Sequence, residues 1–211
     1  MRSMIARRLK RARLREADWQ AIIEEQLRKS IDDGSIPGRS LPRVLERVRK
    51  WTNEVSVRGS ITTQRNNGDP IRKALRRLIA RIPPEEAAVL AKSIEEACIL
   101  WIGLEIDLGQ PTAIATLTSR LKSRGSDAFL GHLLSLHLFN VVWLNSCEEL
   151  RRKTPDEDTL VHWMNAIERM CRQSVANAWR ATPSKRSRRD IERVIDAAIR
   201  QLSRFRFQTR P

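Results

Sequence analysis

Apolar residues along this chain recur at helical spacing, and no segment shows the alternation of a convincing strand. Ile5, Leu9, Ala12, Trp19, Ile23, Leu27 and Ile31 fall close to one stripe. Residues 1–33 therefore read as one long helix, or two in line. The turn-rich segment 34–38 ends that stripe. Ser40 can cap a second helix over about 41–55, burying Leu45, Val48 and Trp51. Residues 58–68 are polar, hold two Gly and two adjacent Asn, and read as a loop. Asp69 followed by Pro70 is a helix start, because Pro loses nothing at a position whose N–H has no partner.

A third helix is expected over about 70–82, stopped by Pro83 and Pro84. Glu85 and Glu86 then open a fourth, where carboxylates complement the helix dipole. That helix runs to about Leu108 and is apolar on nearly every side from Ala97 to Leu104. Residues 109–111 break it. A short fifth helix (112–123) and a long sixth (127–152) follow, the first half of the sixth being apolar all round. The seventh opens at Pro155 and Asp156 and runs to about Trp179. The eighth, about 187–205, places Ile191, Val194, Ile195, Ala198, Ile199 and Leu202 on one face.

The pattern predicts an all-α fold of about eight helices. Two apolar central helices, the fourth and sixth, are expected to be wrapped by amphipathic ones. The run Ala128–Leu144 is 17 residues long and contains His132, His137 and Asn140. It is short for a membrane crossing and reads as a core helix. No signal peptide is expected, because Lys10, Arg11, Arg13 and Arg15 interrupt any apolar stretch after Arg7 and Arg8.

Charge changes this picture from a helical protein to a sorted one. Residues 1–82 carry 21 Lys+Arg against 9 Asp+Glu, residues 83–179 carry 9 against 13, and residues 180–211 carry 10 against 3, within a net +15. We read a basic helical N-terminal region (1–82), an apolar helical core (83–179) and a basic C-terminal helix and tail (180–211), together forming one globular domain. A near-neutral scaffold with basic ends suits a polyanionic partner. Arg outnumbers Lys, 32 to 8. Arg suits bidentate phosphate contacts, although GC-rich coding produces the same bias. Three well-separated cysteines, Cys98, Cys147 and Cys171, form no disulfide or metal pattern and point to a reducing, intracellular compartment, cytoplasmic or, in a eukaryotic or viral setting, nuclear.

The sharpest constellation lies on the third helix. Arg72, Lys73, Arg76, Arg77 and Arg81 occupy one side, while Ile71, Leu75, Leu78, Ile79 and Ile82 occupy the other. Such a ridge repels itself unless counter-charge is supplied. A phosphate backbone supplies it and gains by releasing condensed counterions. Arg43, Arg47 and Lys50 add a second row, and Arg58 and Arg65 sit among small polar donors. The N-terminal arm packs Arg7, Arg8, Lys10, Arg11, Arg13 and Arg15 into nine residues. The last helix carries Arg188, Arg189, Arg193, Arg200 and Arg204, followed by Phe205, Arg206 and Phe207. The Phe side chains either stack bases or dock the tail on the core.

Other chemistries lack a pattern. Helices two and three are too far apart for a helix-turn-helix, and the fourth helix opens on two glutamates, wrong for entering a groove. His132 and His137 are five apart and off a shared face, so no metal is expected. Asp158 and His162 are placed to pair at the start of a helix. No Gly-rich phosphate loop or nucleophile–base motif is present. We therefore expect no catalytic residue and no cofactor. The expected function is non-enzymatic binding of RNA or DNA through backbone contacts, with RNA favoured because nothing reads a groove. The alternative is a structural or adaptor protein, viral matrix-like or accessory, that assembles on a second copy, a protein partner or an anionic membrane surface.

Overall fold

The computed structural model describes residues 21–34, 36, 38–58, 70–153, 156–182 and 187–203. Every regular element among them is helical: α1 (residues 21–32), α2 (Leu41–Arg58), α3 (Pro70–Leu78), α4 (Pro84–Ile102), α5 (Pro111–Arg124), α6 (Ser126–Lys153), α7 (Glu157–Ala181) and α8 (Arg188–Ser203). The expected all-α class is the class observed.

Helix boundaries follow local chemistry. Asp156 caps α7, its carboxylate accepting from the Thr159 N–H at 2.7 Å. Ser187 and Asp190 cap α8 reciprocally: the Asp190 N–H donates to Ser187 Oγ at 3.1 Å, and the Ser187 N–H donates to Asp190 Oδ2 at 3.0 Å. Gly103 (φ 106°) and Gly125 (φ 82°) end α4 and α5 in a backbone region that side chains rarely occupy. Their N–H groups close the last turns on Ile99 O and Leu121 O. A single residue, Gly125, thus separates α5 from α6.

α6 is the hub. It packs against α7, α4, α2 and α5, while α7 carries α8 and α2 touches α5 and α8. Phe129, Leu130, Leu133, Leu134, Leu138 and Val142 of α6 are buried. Ser126–Arg152 is the one stretch among the described residues long and apolar enough to cross a membrane by length and composition. Its extensive contacts with the other helices mark it here as the core element.

The expectation of two such helices is met by α6 alone. α4 buries Leu90, Ser93, Ile94, Ala97, Cys98, Trp101 and Ile102. Its other side leaves Lys92 exposed and Leu100 48 % exposed. The helix also stops at Ile102, not near Leu108, so Leu104 falls in the following loop at 80 % exposure. Residues 97–104 read as apolar all round because sequence does not show which apolar side chains find a neighbour.

α3 is likewise shorter than expected, ending at Leu78. Residues 79–82 form a turn in which Arg81 has φ 66°, the one positive-φ position among the described residues not held by glycine. α3 packs on α4 and α2, at the edge of the bundle.

Candidate nucleic-acid interface

α3 divides cleanly into two faces. Ile71, Leu75 and Leu78 are buried, whereas Arg72, Lys73, Arg76 and Arg77 are exposed. Burial of one side by α4 and α2 therefore fixes which side meets solvent. Arg72 pairs with Glu95 of α4 at 3.8 Å. Both side chains are largely solvated, so the pair adds little stability. Lys73, Arg76, Arg77 and Arg81 have no ion-pair partner among the described residues. Among the described residues, most of the ridge thus keeps its charge unneutralised.

α2 reaches the same place. Arg47 lies against the exit of α3, its Nη1 donating to Leu78 O at 3.0 Å and to Ala80 O at 2.9 Å. The N-terminus of α2 meets the α3–α4 joint as well, where the Ser40 N–H donates to Glu86 Oε2 at 2.8 Å. Glu86 thereby serves the start of α2 as well as the first turn of its own helix. Arg43, one turn before Arg47, is exposed and unpaired among the described residues. Arg39, not singled out by its spacing, is exposed there too, next to the bonded Ser40 N–H. Its signal was adjacency in space, which helical periodicity does not show.

The remaining sequence-predicted positions separate. Lys50 is tied to Glu46 at 3.1 Å. On α8, Arg188 pairs with Glu192 at 2.9 Å and Arg193 with Asp190 at 3.6 Å, while Arg189 is exposed without an ion pair among the described residues. Arg58 is the last residue of α2. Arg7, Arg8, Arg11 and Arg65 lie outside the described residues, as do Phe205 and Phe207.

The histidines and cysteines sit apart from this surface. His137 is buried with Nδ1 3.4 Å from Ser93 Oγ. The buried Nε2 of His132 has no hydrogen-bond partner among the described residues. Burial and the Arg172 charge hold the His132 pKa below its ordinary value, against an opposing pull from Glu168. The two rings thus meet different neighbours. Asp158 and His162 are both exposed and, against expectation, form no ion pair with each other; solvent competes well for two exposed polar side chains at an open helix start. Cys98 and Cys171 are fully buried, and burial pushes the Cys171 thiol pKa up, away from reactivity.

The chain matches no family model, no curated protein and no solved structure.

Proposed function

We propose that this protein binds nucleic acid without catalysis, through phosphate-backbone contacts, with RNA favoured over DNA. The observation that carries this reading is the α3 face: Lys73, Arg76 and Arg77 are exposed and lack acidic partners among the described residues, opposite a buried Ile71–Leu75–Leu78 stripe. Keeping like charges together costs self-repulsion, and a phosphate backbone relieves it. Arg39, Arg43 and Arg81 extend the same charge around the α2–α3 joint. Arg189 and the basic N-terminal arm are further phosphate contacts in this reading.

The test is the salt dependence of binding to RNA, duplex DNA and anionic vesicles. Replacing Arg72, Lys73, Arg76 and Arg77 by Gln is expected to preserve the fold and weaken binding across all sequences. The slope of log K against log [salt] should shrink by roughly 0.7–0.9 per lost phosphate contact. Deleting residues 1–15 should weaken RNA binding further, and excess RNA should displace the protein from vesicles. Unchanged RNA affinity in the quadruple variant removes α3 from the interface. Vesicle binding that survives both high salt and excess RNA favours the membrane-adaptor alternative.

A further inference from the structure

Among the cations of the basic face, Arg47 stands out by its bonding. The last carbonyls of a helix have no intrahelical partner. At the exit of α3, the Ile82 N–H turns to Ile79 O at 3.2 Å and the Ala80 N–H to Arg77 O at 3.4 Å. Leu78 O and Ala80 O are instead taken by a single guanidinium nitrogen from another helix, Arg47 Nη1. Just beyond these two carbonyls the chain turns through Arg81, whose φ of 66° puts a bulky side chain in the left-handed region. Such a conformation persists only when its surroundings over-determine it, and Gly would hold it at less cost. The side chain kept there is a solvent-exposed Arg, four residues after Arg77 in the chain.

We infer that Arg47 is a positioning residue and not a phosphate contact: it clamps the α3 exit so that Arg81, in its left-handed conformation, is presented to a polyanion together with Arg76 and Arg77. This rests on the nucleic-acid reading of α3. It divides the basic residues of the α2–α3 joint into one that builds the surface and others that touch the ligand.

The experiment uses the full chain, a fluorescein-labelled mixed-sequence single-stranded RNA, and amide hydrogen exchange of the free protein. Arg47→Gln is expected to accelerate exchange at Ile79, Ala80 and Ile82 and to weaken RNA binding. Arg81→Gln alone should lower the salt slope by about 0.7. In the Arg47→Gln background the same change should lower it by under half as much, because Arg81 is no longer held in place. Unchanged exchange together with additive losses from Arg47→Gln and Arg81→Gln would make Arg47 a direct contact and overturn the inference, leaving the α3 reading standing. Unchanged affinity in a Lys73→Gln/Arg76→Gln/Arg77→Gln variant overturns the α3 reading, and this inference with it. If Arg47→Gln is too unstable to assay, Arg47→Lys, which keeps the charge and shortens the reach, is judged by the same two outcomes.

Discussion

The Asn140 side-chain amide on α6 donates to the Glu96 carboxylate on α4 at 2.8 Å, and to Ser93 Oγ at 3.1 Å. Ser93 Oγ in turn lies 3.4 Å from His137 Nδ1 and donates to Val89 O at 2.7 Å. A partly buried polar layer therefore joins α4 and α6. Asn140→Ala is expected to destabilise the protein by about 2 kcal/mol, because it leaves a carboxylate and a buried hydroxyl short of a donor. Chemical denaturation reads this as a lower midpoint with an unchanged slope. A loss within experimental error would mean that solvent satisfies Glu96 as well as Asn140 does.

Leu134 and Leu100 offer a matched contrast, since both lie in strongly apolar segments. Leu134 is fully buried and Leu100 is 48 % exposed. Leu134→Asp should unfold or aggregate the chain, because an unpaired buried carboxylate costs several kcal/mol against a total of ~5–15. Leu100→Asp should stay soluble with nearly native melting, as surface changes usually fall within about 0.5 kcal/mol. Equal damage from the two would show that Leu100 is covered in solution by a partner or a second copy.

Arg81→Gly should separate stability from binding. Removing the side chain from a left-handed position relieves strain of roughly 1–2 kcal/mol, part of which is offset by the freer unfolded chain of Gly. A net gain of ~0.5–1 kcal/mol should raise Tm by a few degrees for a chain of this size. RNA affinity should fall at the same time. A variant that melts lower would show that the Arg81 side chain supports the fold.

The His132 ring gives the stability a pH dependence of known sign. Its folded pKa is depressed below 6.5 by burial first and by Arg172 second. Its contribution is therefore fully present above pH 6.5 and is lost as pH falls through the folded value, since the unfolded chain takes up the proton first. Denaturation midpoints measured from neutral to mildly acidic pH should fall, by at most about 1.4 kcal/mol per pH unit for one proton. His132→Gln should flatten that slope. An unchanged slope in the variant would assign the effect to other groups.

Much of this was legible in the chain. The helical class, the start signals at Pro70 and Asp156, and the buried stripe of α8 follow from spacing and capping chemistry, which act within a few residues. So does the two-faced nature of α3, because Ile71, Leu75 and Leu78 recur once per turn and leave the cations on the other side. Tertiary structure alone decided the rest. It chose α6 over α4 as the hub, since apolar side chains are buried only where a neighbour exists to cover them. It placed Glu86 on the start of α2 and Arg47 on the exit of α3, pairings 46 and 31 residues apart in sequence. It also stopped α3 at Leu78 and set Arg81 in its left-handed turn. Charge pattern along a chain counts cations, but only packing determines which of them are spent on carbonyls and carboxylates inside the fold and which remain for a ligand.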